Sequence, residues 1–145
     1  MSLLKNALID YAGAAVGAAK DTDANTSILD MSGWDGVVFL TTVTDCVSGG
    51  VATLKVEASD TNADGGMSAV TGATAAATSG ANDDLNGQLL IVDVFRPQKR
   101  YVQGVRTSAT QNIAFGECIA IRYRGSKAPV TQSSTTVAAS TFAVG

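Results

Sequence analysis

The sequence predicts an all-β protein, an antiparallel β-sandwich of jelly-roll type with extended N- and C-terminal arms. Two observations lead there. From Ser27 onward the apolar stretches are short, and they either alternate with period two or run β-branched and aromatic. Clusters of Gly, Asp, Asn and Ser punctuate them at the spacing of sandwich strands, and no segment reads convincingly as a helix. At 145 residues the chain is one domain with enough core to fold without staples.

Residues 1–26 read as an N-terminal arm or edge strand. Ala-rich Tyr11–Lys20 permits helix, but Gly13 and Gly17 would each cost it about 1 kcal/mol. The sandwich domain is placed at 27–130. Ser27–Met31 opens it as a short strand, and Gly33-Trp34-Asp35-Gly36 turns the chain. Val37–Val43 is a β-branched and aromatic run, closed by a turn over Asp45–Gly50. In Val51–Ala58, Ala52, Leu54, Val56 and Ala58 share one face and Thr53, Lys55 and Glu57 the other, the pattern of a half-buried strand.

Residues 59–87 are poor in large apolar side chains and read as a long loop or crossover, with room for a short strand near Met67–Val70. Gln88–Phe95 is nearly continuous in apolar residues, which predicts a central strand covered on both faces. Pro97 ends it. Lys99–Arg106 is a basic strand. In Ile113–Arg124 alternation puts Ile113, Phe115, Ile119, Ile121 and Tyr123 on one face, broken by Glu117, and Ala114, Gly116, Cys118 and Ala120 on the other. Residues 131–145 read as a C-terminal arm, and both arms are expected to lie on neighbouring subunits.

Composition narrows the function. Charged residues are only 16% of the chain, below the roughly 25–35% of a typical soluble surface, which suits a chain whose faces meet other subunits. The net charge of −3 is uneven: residues 1–84 carry three Lys against eleven Asp and Glu, a balance of −8, and residues 85–145 carry seven Lys and Arg against two acids, a balance of +5. Such a split suits docking on an oppositely charged surface. The basic half alone would suit nucleic acid, but the acidic total argues against it. No stretch is apolar and long enough for a membrane helix. Lys5, Asn6 and Asp10 interrupt any signal-peptide core, so the expectation is a non-secreted protein made in cytoplasm. Cys46 and Cys118 form no disulfide framework; reduced thiols are the simpler reading, and a bridge between them stays open.

No enzyme is expected. There is no His, which removes the commonest general base, the Ser-His-Asp and Cys-His arrangements and most zinc sites. Phosphate-loop, nucleophile-elbow and dinucleotide signatures are missing from the sequence, and no cofactor is expected. Asp60-Thr-Asn62-Ala-Asp64-Gly65 copies the start of a calcium loop, but position 12 falls on Thr71 instead of Glu, so it reads as a turn and no metal is expected. Trp34 and Tyr101 could stack on a sugar, though such residues are more often anchors.

Two runs carry a resemblance. Ile91-Val-Asp-Val-Phe-Arg-Pro-Gln-Lys-Arg-Tyr-Val102 is an apolar strand leading through Arg-Pro into Lys-Arg-Tyr-Val. Cys118-Ile-Ala-Ile-Arg-Tyr-Arg-Gly-Ser-Lys-Ala-Pro-Val130 is a late strand ending in a basic Gly-x-Lys-x-Pro-Val. Together they resemble the small capsid decoration (cement) proteins of tailed bacteriophages. That resemblance implies a β-sandwich bound to the exterior of the mature virion head, clamping major capsid protein subunits, and forming a homo-dimer or homo-trimer. Arg96, Lys99, Arg100 and Tyr101 are the candidates for capsid or subunit docking. The alternative is a carbohydrate- or receptor-binding module of a virion, with the 59–87 loop as its reading surface and Trp34 and Tyr101 exposed in a groove.

Overall fold

The computed structural model describes residues 2–126 and 128–144; Lys127, part of the second run quoted above, and Gly145 lie outside the described residues. One helical turn, α1 (Leu3–Asn6), precedes ten strands: β1 (Ala7–Gly13), β2 (Val16–Ala19), β3 (Thr22–Asn25), β4 (Leu29–Asp30), β5 (Gly36–Cys46), β6 (Val51–Ser59), β7 (Ser68–Thr78), β8 (Leu89–Phe95), β9 (Tyr101–Ala109) and β10 (Ile113–Tyr123). β1 and β2 both pair with β10, and β3 and β4 both pair with β9, so each couple is one interrupted edge strand. The first sheet runs β1/β2, β10, β5, β8, and the second runs β3/β4, β9, β6, β7. Counting each interrupted edge once, the first sheet holds the first, eighth, third and sixth strands and the second holds the second, seventh, fourth and fifth. With every pairing antiparallel, this is the jelly-roll order, as the sequence predicts.

The two inner faces meet in one core built around Phe39, Leu54, Val56, Val102, Ile113 and Phe115. β6 alternates as its sequence dictates, with Ala52, Leu54, Val56 and Ala58 inward. Cys46 and Cys118 are both buried and unpaired, and burial pushes the Cys118 thiol up to about 11. Gly104 lets Phe39 seat against β9: a Cβ there would lie 2.9 Å from the Phe39 ring.

Five expectations change. Residues 1–26 run along the edges of both sheets of the same chain, as the edge-strand reading allowed. The C-terminal segment also returns to its own chain. The Val130 amide donates to the Lys5 carbonyl, and the Gln132 side chain receives the Ile9 amide and donates to the Leu4 and Ala7 carbonyls. An open β-edge offers such unpaired groups, and one amide side chain at the right height satisfies three of them.

Within 59–87 lies an eleven-residue edge strand, β7, far longer than the expected short one. Its Ala- and Thr-rich sequence hides it, because an edge strand with an exposed outer face needs few large apolar residues. β8 is the outer strand of its sheet and not a central one. Leu90, Val92 and Val94 point into the core, while Leu89, Ile91 and Phe95 are more than half exposed.

β10 departs from strict alternation. Phe115 lies opposite Val43 and Cys118 opposite Thr41, so β10 advances three residues where β5 advances two. This β-bulge puts Ile113 and Phe115 in the core together with Cys118 and Ala120. Ile119, Ile121 and Tyr123 are thereby turned to the outer face.

Arg106 pins the bulge from inside the sandwich. Its Nη1 donates to the Gly116 carbonyl at 2.8 Å and to the Ala14 carbonyl, between β1 and β2, at 2.7 Å. The Thr41 hydroxyl, also buried, lies 3.1 Å from both the Gly116 and Glu117 carbonyls. Gly13 leaves room for the guanidinium, since a Cβ there would come within 2.5 Å of Nη2. Burial lowers the Arg106 pKa, but a guanidinium keeps its proton in proteins. Arg106→Met fills similar volume while removing both hydrogen bonds. It should cost about 3 kcal/mol in urea unfolding; a loss below about 1 kcal/mol would show that the bulge holds without it.

Candidate functional site

The basic corner lies at one end of the sandwich. Arg96 takes left-handed backbone (φ 52°), donates its amide to the Asp35 carbonyl at 2.6 Å, and lays its guanidinium 5.0 Å from the centre of the Phe95 ring. Lys99 pairs with Asp60 at 2.9 Å. Arg100 grips Asp30 with two hydrogen bonds, both 3.0 Å, and covers the Tyr101 ring at 5.2 Å. Hydrogen bonding from Arg100 holds the Asp30 carboxyl below its ordinary range, and Lys99 does the same for Asp60. Arg96 alone of the three cations has no carboxylate partner among the described residues.

The structure therefore brings together all four residues expected to dock, from Arg96 to Tyr101, but two of the cations already serve the chain's own acids. Such exposed pairs are worth roughly 0–1 kcal/mol, so an incoming carboxylate can exchange with them. A groove of about 420 Å³ runs beside the corner, with Arg96, Pro97 and Lys99 on one wall and Ser68–Thr71 of β7 on the other.

The same pairing explains the uneven charge. Asp10–Arg122, Asp30–Arg100, Asp35–Arg124 and Asp60–Lys99 all join the acidic first half to the basic second half. Jelly-roll winding interleaves the two halves, so their complementarity is spent in part within one chain.

Asp35 is the hinge of this end. It accepts the Arg96 amide, donates its own amide to the Tyr123 carbonyl, and pairs with Arg124 at 3.6 Å. Runs far apart in sequence, 91–102 and 118–130, thus meet at one residue. Asp60 and Asp64 of the calcium-like loop are engaged elsewhere, with Lys99 and with the Asn25 side chain. Trp34 is half-buried, with Arg122 over its ring at 5.7 Å and Gly125 so close that a Cβ would lie 2.8 Å from it.

A second surface escapes a sequence reading. The outer face of the second sheet is ordinary, bearing Thr53, Lys55, Glu57, Gln103 and Thr107. The outer face of the first sheet is apolar. Across its four strands the register aligns Tyr11, Ile119, Leu40 and Ile91 in one row, and Ile9, Ile121, Val38 and Asp93 in the next. Leu89 and Phe95 extend it at the β8 edge. Of its two acids, Glu117 stands at the start of the outward-facing part of β10, and Asp93 accepts a 2.6 Å hydrogen bond from the Tyr123 hydroxyl. Gly36 makes that reach possible: a Cβ there would collide with the Tyr123 ring. The signal for this face was the continuous apolar run of β8, which calls for cover on both sides; the core supplies only one.

No protein-family model and no curated protein matches the sequence. Among solved structures the chain is similar to the PBSX exported protein XepA, at 18% identity and a TM-score of 0.54, covering 99% of this chain and 45% of that one. It is also similar to a chain of Bacillus endospore appendages, described as disulfide-linked pili, at 16% identity and a TM-score of 0.47 over 83% of this chain and 89% of that one. The SPBc2 prophage-derived protein YomS matches at 10% identity and a TM-score of 0.41 over 79% and 94%. The XepA likeness shows the fold, and the chain spans less than half of that protein's length.

Burial, and then the hydrogen bond to Asp93, push the Tyr123 phenol up to about 12. An unfolded tyrosine titrates near 10, so folding favours the neutral phenol. Its contribution is complete below pH 10 and is lost as pH rises towards 12. Ultraviolet titration should show a tyrosine step near pH 12, and Tyr123→Phe should remove it.

Proposed function

We propose that this chain is a structural protein of a tailed-phage virion, one that binds the outer surface of the mature head and cements neighbouring major capsid subunits. One observation carries the reading: the two runs that resemble capsid decoration proteins, distant in sequence, converge through Asp35 at one end of a rigid jelly roll. There they set Arg96, Lys99, Arg100 and Arg124 around a single corner. A shell surface bearing carboxylates is the complementary partner. The likeness to the PBSX exported protein XepA supports the choice of fold.

Arg96 leads the docking set, since its charge is free of any ion pair among the described residues, with Lys99 and Arg100 exchanging partners on contact. Tyr101 stiffens Arg100 by lying under it. The carbohydrate- or receptor-binding alternative needs Trp34 and Tyr101 open in one groove, and both rings are already covered by arginines of the same chain.

Co-sedimentation with undecorated, expanded heads of the source phage tests the proposal. Binding should saturate at a fixed number of copies per shell and weaken with salt. Reversing Arg96, Lys99 and Arg100 together to Glu should reduce occupancy by at least tenfold while leaving the circular dichroism spectrum unchanged. Unaltered occupancy would remove this corner from the docking surface, and a wild-type protein that never sediments with heads would overturn the cement reading itself.

A further inference from the structure

We infer that the apolar outer face of the first sheet is the interface of a twofold-symmetric homodimer, with the two faces stacked and their strands reversed. The inference goes beyond the shell-binding proposal and does not depend on it. Four strands about 4.8 Å apart, each contributing about seven residues of roughly 3.3 Å rise, make a plane of roughly 450 Å² before side-chain relief is added. That is the size of the largest apolar patch a typical monomer exposes, and such patches are often functional. Relief and rims bring it towards the roughly 800 Å² that each partner contributes to a standard interface.

Three features select a second copy over the shell as the occupant. The face is nearly free of charge, and Asp93 is already hydrogen-bonded to Tyr123, so two copies meet without repulsion. Such an apolar composition marks a permanent homodimer interface, whereas a partner met only on a finished shell would leave it in water until then. The two ends of the face also differ in sign. Glu117 is exposed at the start of the outward-facing part of β10, and Arg124 follows its other end, about two-thirds exposed.

A dyad lying in the interface and perpendicular to the strands lays β10 over the reversed β10 of the partner. Glu117 then comes beside the Arg124 of the partner subunit at both ends of the contact. The groove of about 600 Å³ between Leu3, Ala7, Val38, Ile121 and Tyr123 supplies a socket on the same face. Tyr11, exposed on β1, projects from it as the knob. Aligned sheets packed about 10 Å apart are the geometry the sandwich itself uses.

Light scattering on the purified full-length chain, at tens of micromolar and with no heads present, should give twice the 14.7 kDa chain mass. Ile91→Glu should give the monomer mass, a shift of at least a hundredfold in dissociation constant, with an unchanged far-ultraviolet spectrum because Ile91 faces away from the core. Glu117→Arg and Arg124→Glu should each weaken the dimer, and the double reversal should restore it. A monomeric or trimeric wild type, or an Ile91→Glu protein that stays dimeric, overturns the inference. If the wild type is monomeric and Ile91→Glu loses head binding, the face belongs to the shell protein instead. A dimer that fails to sediment with heads overturns the cement reading and leaves this interface standing.

Discussion

The Arg106 guanidinium, buried between the sheets without a carboxylate, is the contact on which the rest of the molecule depends. It holds the Gly116 carbonyl inside the β10 bulge and the Ala14 carbonyl where the first edge strand breaks. A buried cation is costly, and its hydrogen bonds to two backbone carbonyls are what offset the cost. Because strand side chains alternate, one extra residue in a strand exchanges the faces of everything beyond it. Ile119 and Ile121 stand outside for that reason, although Ile113 and Phe115 stand inside. The apolar outer face is a consequence of the bulge as much as of composition.

Jelly-roll winding has a second consequence, for charge. Every strand of the first half except β7 pairs with a strand of the second, so acids from one and cations from the other meet repeatedly at the ends of the sandwich. The Asp10–Arg122 pair is well shielded from water, with both side chains less than one-sixth exposed, and it sits where Trp34 closes the end of the core. The pairs at Asp30, Asp35 and Asp60 are open to water and weak one by one. Their value is positional. They hold Lys99, Arg100 and Arg124 in place around the corner, so part of the rotamer entropy of these cations is already spent.

The two outer faces divide the work. The second sheet shows water a mixture of Thr, Lys and Glu, and the C-terminal segment caps the β1 edge of the first sheet through Gln132. The remaining uncovered apolar surface is concentrated on one face of one sheet. A low fraction of charged residues is tolerable in such a protein when that face is buried in an assembly, and the polar sheet and the basic corner then become its exterior.

Local chemistry determined the fold class, most of the strands and the turns between them, because period-two patterns, β-branched runs and Gly/Asp/Asn clusters act over a few residues. It also determined that the basic corner forms, since Arg96 to Tyr101 are contiguous and Pro97 forces the break. Tertiary structure alone decided the rest. The outer position of β8 depends on which strands become its neighbours, and its apolar run reads the same whether the second cover is this chain or another. β7 was hidden because small residues suffice for an edge. The bulge in β10 was invisible because the Arg106 guanidinium that bonds it is ten residues away in sequence and reaches it only once the sheets have closed. Asp35, which joins the two ends of the basic corner, acquires that role by the same closure, since hydrogen bonds between distant segments leave no periodic trace in the chain.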